Sequence, residues 1–382
     1  MTERAYLDWN ATAKLRPQAR AAVAAALDVT GNPSSIHADG RAARRIVEGA
    51  REEVAALVGA KPRDVVFTSG GTEANTLALT PSISDGLLVS AIEHPSVLGG
   101  GRFASVETVP VTAKGVIDLD ALRRQLVLAS RPLVSVMLAN NETGALQPIA
   151  QVSNMVHAAG GLLHVDAVQG PGRILCNFSA LGADLMTLSA HKLGGPLGVG
   201  ALVVCREQLP IEPLLRGGGQ ERSRRAGTEN VAGIAGFGAA AAAVHRGFAE
   251  EASRMVALRD RLEVGLKAAT PAAVIFVADT PRLPNTTLFA VPGLKAETAV
   301  IAFDLEGIAV SSGAACSSGK VTNSHVLAAM GVAPELARGA IRVSLGYATA
   351  EAEIEAFLSA WVRLAERLYK ARKQELSPPE AA

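Results

Sequence analysis

The sequence predicts an α/β protein, with a large domain on a mostly parallel seven-stranded sheet followed by a smaller α+β domain. Three observations predict it. Short apolar, β-branched runs alternate with helical patterns from about Asp64 to Cys205, as in a parallel sheet with crossover helices. The 382 residues, 49% of them hydrophobic, suffice for two cores. After Glu229 the pattern changes to one proline-free helical stretch reaching about Ala269, then to short β-rich runs with helices between.

Taken in order, strands are expected near 64–68, 86–91, 105–110, 133–138, 161–165, 184–188 and 199–204. Arg41 to Val58 and Asp118 to Leu128 are amphipathic with helical period. The stretch 229–269 connects to the second domain. There, β runs are expected at 273–277, 285–291, 308–312 and 340–345, before a final charged helix from Ala350 to about Lys373.

Charge and composition narrow the function. A formal net charge of +1 shows no basic excess of the kind that binds a phosphate backbone, so no nucleic-acid partner is expected. Arg222 to Arg225 is then a local basic run on a solvated loop. The first residues hold no apolar leader segment, and the apolar run Val231 to Val244 is too short to span a bilayer and reads as a buried helix. A cytoplasmic protein without a membrane partner is expected. The three cysteines, Cys176, Cys205 and Cys316, show no CxxC or clustered ligand spacing, which argues against a disulfide framework or a metal site. Cys176 and Cys205 follow apolar residues and read as small buried hydrophobes. Cys316 sits among Ser, Gly and Ala, where a segment can swing.

Three local patterns point to a site. Lys192, in Ser189-Ala190-His191-Lys192 before a glycine-rich run, stands among small residues that favour an unprotonated amine able to attack a carbonyl such as that of pyridoxal phosphate. Taken alone, a lysine in a glycine-rich turn is usually a solvated loop residue. Asp166 ends an apolar strand, where parallel sheets place their ligands, and a carboxylate there keeps a pyridine nitrogen protonated; the alternative is a helix cap. Val65 to Thr68, Gly70-Gly71 and Thr72 form a strand, glycine turn and helix start suited to a phosphate, though the turn fits neither GxGxxG nor the Walker pattern.

Together with Gly31-Asn32-Pro33-Ser34-Ser35-Ile36-His37, Glu93-His94-Pro95, Asn140-Asn141-Glu142-Thr143-Gly144, Asp166-Ala167-Val168-Gln169, Gly217 to Arg222, Arg224 to Asn230, Ser311 to Gly319 and Ile341 to Gly346, these motifs resemble the cysteine desulfurases of the NifS/IscS class. These belong to the class V, fold-type I pyridoxal-phosphate enzymes, and the resemblance runs from Tyr6 to the C-terminal helix. It implies a large domain at 13–255 and a small one formed by 1–12 and 256–382. It also implies that Lys192 carries pyridoxal phosphate and that Asp166 pairs with its pyridine nitrogen. Gln169 would bond its phenolic oxygen, and His94 would stack on the ring and assist proton transfer. Asn141 would orient cofactor and substrate. Gly71, Thr72, Ser189 and His191 would hold the phosphate, with Thr228 reaching in from the second subunit of a homodimer. Arg342 would pair with the carboxylate of L-cysteine. Cys316 would take the substrate's sulfur as a persulfide, releasing alanine, and pass it to an acceptor or iron–sulfur scaffold protein.

A selenocysteine lyase or aminotransferase on the same scaffold is the alternative, since neither needs Cys316 as a sulfur acceptor. A scaffold or relay protein without catalysis is a third reading, which Lys192, Asp166, His94 and Cys316 argue against. Two segments depart from the family pattern. The connection 80–86 is short, and Gly99-Gly100-Gly101-Arg102-Phe103 replaces much of the helix expected after His94.

Overall fold

A computed structural model describes residues 4–313 and 324–375. Numbered in chain order, the strands of the large sheet are β2 (Val65–Thr68), β3 (Gly86–Ser90), β4 (Glu107–Val109), β5 (Pro132–Met137), β6 (Leu162–Asp166), β7 (Leu185–Ser189) and β8 (Gly200–Val204). Their spatial order is β2-β8-β7-β6-β5-β3-β4. All seven lie on runs that the sequence marks as strands. Six point the same way, and β8 is antiparallel to both β7 and β2. The connection from β7 to β8 is too short for a crossover helix, so the chain turns back as a hairpin with Ser189 opposite Gly200.

The strands alternate in the sense expected of a sheet covered on both faces. Val65, Phe67, Leu88, Val134, Val136 and Val203 join one core with Val47 and Val54 of the helix Ala38–Leu57, Leu122, Val152 and Phe237. Val66, Leu87, Val89, Leu133, Leu202 and Val204 point the other way, against Ala74, Leu77 and Leu79. Gly101 has φ 58°, and a Cβ there would lie 2.6 Å from the Leu79 carbonyl oxygen; this lets the glycine-rich segment lie across that second face.

A second core gathers Leu7, Leu258, Leu262, Phe289, Phe303, Phe357 and Trp361. Phe303 and Phe357 stack at 4.9 Å, and burial of each such side chain contributes about 1.5–3 kcal/mol. Its sheet has the order β12 (Ser311–Ser312), β13 (Ile341–Ser344), β10 (Thr286–Ala290), β9 (Val274–Ile275), all antiparallel. The run 308–312, expected as one strand, is two. Its first half, β11 (Ile308–Ala309), pairs in parallel with β1 (Ala5–Tyr6), and the chain changes partner at buried Val310.

One helix, Val231–Ala269, reaches from the first core, through Ile234 and Phe237, to the second, through Leu258 and Leu262. It agrees with the helical stretch expected at 229–269. By length and composition alone this 39-residue helix is long and apolar enough to cross a membrane. Its apolar face meets protein instead: a Cβ on Gly238 would lie 2.5 Å from the Cα of Ala50, so the two helices touch backbone to backbone.

Candidate active site

The six parallel strands end on one side of the sheet, and the residues that follow them meet there, as the topology of a parallel sheet requires. Gly71 and Thr72 follow β2, His94 follows β3, Asn141 follows β5, Asp166 ends β6, and Ser189, His191 and Lys192 stand at the end of β7. With Gln169, Arg342 from β13 and Asn10-Ala11 from the N-terminal segment, they line a cavity of about 280 Å³. Among the described residues, every predicted site residue except Thr228 lines it.

Asp166 is buried and held from two sides. Its Oδ1 accepts from the Val168 N–H at 3.0 Å and its Oδ2 from Asn75 Nδ2 at 2.9 Å. Gly71 opens the helix Gly71–Ala78, so the N–H groups of its first turn have no partner within the helix. A Cβ on Gly71 would come within 3.1 Å of the Val168 side chain and 3.5 Å of the Ser189 Cβ, which makes this a narrow, donor-lined corner. Glu73 fastens the turn, accepting from the Ser69 N–H at 2.8 Å and from Arg225 Nε at 3.1 Å.

Lys192 stands in the hairpin loop between β7 and β8. A short helical turn, Ala190–Lys192, closed by the Leu193 and Gly195 N–H groups on the Ala190 carbonyl, sets its direction. Its Nζ donates to the carbonyl oxygens of Asn10 at 2.6 Å and Ala11 at 2.8 Å. The amine thus meets backbone carbonyls rather than the small apolar groups that the local sequence suggests. His191 Nδ1 lies 3.0 Å from Thr12 Oγ1, and burial, with the nearby Lys192 and Arg173, pushes its pKa down to about 4.

Burial lowers the pKa of His94, the Asp166 carboxylate opposes that, and Lys192 and His325 add to the lowering. Glu93 beside it is fully buried, donated to by the Met137 N–H at 2.7 Å; burial first, then the charge of Asp166, raise it well above the carboxylate range. Gln169 donates to the Asn10 carbonyl at 3.1 Å and accepts from Arg173.

Arg342 forms the opposite wall. Its Nη2 donates to Asp8 Oδ1 at 2.8 Å and its Nη1 to the Asn141 carbonyl at 3.0 Å, while buried Nε has no hydrogen-bond partner among the described residues. Next to Asn141, buried Glu142 accepts from Ser324 Oγ; burial pushes its pKa to about 7 against the lowering effects of that bond and of Arg342.

Of the predicted residues that the structure describes, one is not brought to the cavity within one chain. Thr228 is exposed and lines a separate cleft with Ser69, Arg225 and Gly227. Cys316 lies outside the described residues. Sequence reasoning missed Asn10, Asn75 and Ser96, which line the cavity, and Asp8, which holds Arg342. No sequence signal marks Asn75: its helix also carries Thr72, Glu73 and Thr76, and only the structure shows that Asn75 is the buried one of these polar residues.

The family model for class-V aminotransferases matches residues 5–357. The chain belongs to that family. It is 42% identical over 370 residues to a cysteine desulfurase of Cereibacter sphaeroides, covering 93% of this chain and 94% of the relative. It is 39% identical to an IscS-like cysteine desulfurase of Mycobacterium tuberculosis over 93% of this chain and 94% of that protein. Among solved structures, a NifS-like protein from Rickettsia africae superposes with a TM-score of 0.89 at 38% identity, covering 95% of this chain and all of that one. The fold is therefore that of the fold-type I pyridoxal-phosphate enzymes, and the chain is a pyridoxal-phosphate-dependent enzyme.

Proposed function

We infer that the chain is a cysteine desulfurase: it takes the sulfur of L-cysteine onto Cys316 as a persulfide and releases L-alanine. The observation that carries this reading is the convergence of Asp166, Lys192, His94 and the Gly71 helix start on one cavity, in a chain closely similar to cysteine desulfurases along nearly its whole length.

The residues present fit pyridoxal phosphate. The N–H groups at Gly71 and Thr72, with Ser189 and His191, suit its phosphate; buried Asp166 suits its ring nitrogen; Gln169 suits its phenolic oxygen; Lys192 is the amine that anchors it. Bound there, the cofactor supplies the electron sink for chemistry at the substrate Cα. Lys192 must leave the Asn10 and Ala11 carbonyls to do its work, and those acceptors give its ammonium a resting place. Neutral His94 packs at the ring position with one nitrogen able to take up or give a proton. Arg342, held by Asp8 through Nη2, is the cation for the substrate carboxylate, and Asn141 stands beside it. The Cys316 thiolate is the nucleophile toward the substrate sulfur.

In this reading the large domain spans 13–255, and 1–12 with 256–382 form the small one. The enzyme is a cytoplasmic homodimer in which exposed Thr228 serves the partner's phosphate site, and Glu73–Arg225 ties that loop to the helix start. A sulfur-acceptor or iron–sulfur scaffold protein receives the persulfide. Incubation with L-cysteine and a reductant should yield equal amounts of alanine and sulfide, and Cys316→Ala should yield neither. Alanine production that survives in Cys316→Ala would point instead to a lyase or aminotransferase.

A further inference from the structure

Both hydrogens of one amide are committed at the back of the cavity. Asn75 Nδ2 donates to Asp166 Oδ2 and to Ser96 Oγ, each at 2.9 Å. Ser96 Oγ lies 2.8 Å from His94 Nδ1, and the Ser96 backbone N–H donates to the same nitrogen at 3.1 Å. The directions of these bonds are fixed by chemistry. A flipped Asn75 would set its oxygen against the Asp166 carboxylate, which is why its Oδ1 is left buried without a partner. A backbone N–H can only donate, so His94 Nδ1 must present its lone pair, and the Ser96 hydroxyl, already accepting from Asn75, gives its hydrogen to that same nitrogen.

We propose that Asn75 and Ser96 are positioning residues that lock His94 in the neutral tautomer carrying its proton on Nε2, and tie that ring to the carboxylate of Asp166. The proposal rests on the reading of the site given above and adds two residues to it. The relay runs one way, Asn75 to Ser96 to His94. It occupies the ring's basic nitrogen with two donors, so a proton arriving at Nδ1 must displace both the hydroxyl and the amide contact. The ring therefore stays uncharged while presenting an N–H donor at Nε2. The charged or titratable groups facing it are Asp166 from β6, Lys192 from the hairpin loop and His325 from the helix His325–Ala329, with Glu93 adjoining in sequence. Of these, Asp166 favours a charged ring, and the relay opposes it.

The test is a side-chain ¹⁵N NMR titration of the histidines in full-length protein, cofactor-free and loaded, with His94 assigned through His94→Gln. In wild type, Nε2 should be protonated and Nδ1 not. Ser96→Ala, which keeps the backbone N–H on Nδ1 and loses only the hydroxyl, should leave the proton on Nε2 and raise the pKa by about one unit, the scale of one hydrogen bond to the neutral form. Asn75→Ala should raise it by less, and Ser96→Thr, which keeps the hydroxyl, should restore the wild-type value. Because Ser96 is only half-buried, its variant keeps the test available if Asn75→Ala fails to fold. A His94 pKa unchanged in Ser96→Ala, or a wild-type ring protonated on Nδ1, overturns the relay. Alanine production and pyridoxal phosphate binding are measured on the same samples. Protein that binds no cofactor sinks the functional reading alone, whereas an active protein with an unmoved His94 sinks the relay alone.

Discussion

The wall of the cavity built by the ends of β2, β6 and β7 and the wall built by Asn10, Asn141 and Arg342 are held by different kinds of contact. On the first wall each functional group sits at the end of its own strand and has at least one anchor a few residues away, beside its distant partners: Val168 for Asp166, Glu73 and Ser69 for the Gly71 turn, the Ala190 turn for Lys192. On the second, Arg342 is held by Asp8 across 334 residues of sequence, and Asn10 bonds both Asn141 and Thr286. The first wall belongs to the sheet, and the second exists only when the N-terminal segment and the second core are in place. The difference assigns the tasks, with cofactor chemistry on the local wall and substrate recognition on the assembled one.

Substitutions separate the two walls, beginning with the most severe. Lys192→Ala should abolish turnover and the visible absorption of the bound cofactor, read by spectroscopy and by the borohydride-fixed label, which in wild type belongs on the peptide containing Lys192. Asp166→Ala should slow turnover by roughly 100-fold or more, the scale of a lost electrostatic contact at a reacting centre, while cofactor binding weakens far less. Near wild-type kcat in that variant removes Asp166 from its assigned role.

On the assembled wall, Arg342→Lys should lower kcat/KM by about 10- to 100-fold, mostly through KM, because ammonium loses the forked geometry and the bond to Asp8. An unchanged KM for cysteine would falsify the carboxylate assignment. The smallest effect is on stability. The folded pKa of Glu142, about 7, lies above its ordinary 4.5, so its contribution is full below pH 4.5 and is lost as pH rises to about 7. That loss is on the order of 3 kcal/mol. Glu142→Gln should flatten this part of the stability profile in denaturant melts, and an unaltered slope would show that Glu142 is not the group responsible. Buried Glu93 adds a slope of the same sign.

The same contrast explains what the sequence made legible. Asp166, Lys192 and Gly71 each announce themselves in a strand and the loop that follows it, so the local pattern carries both fold and chemistry. The hairpin direction of β8 is hidden because a strand looks the same in either direction, and only the short connection after Lys192 hints at it. Asp8 and Asn10 carry no local signal of their partners, which lie hundreds of residues away. Asn75 lies three residues past Thr72 on the same helix, yet its role depends on Asp166 at the end of β6 and on Ser96 after β3.

The helix Val231–Ala269 is a beam roughly 58 Å long at the ordinary helical rise, anchored in both cores and free of proline. Arg16, beside the lysine loop, grips its middle through Glu251, with bonds of 2.8 and 2.6 Å, and also holds the Leu193 carbonyl at 3.0 Å. The lysine loop, the middle of that helix and, through the helix, both cores therefore share one support, with Arg16 as the link.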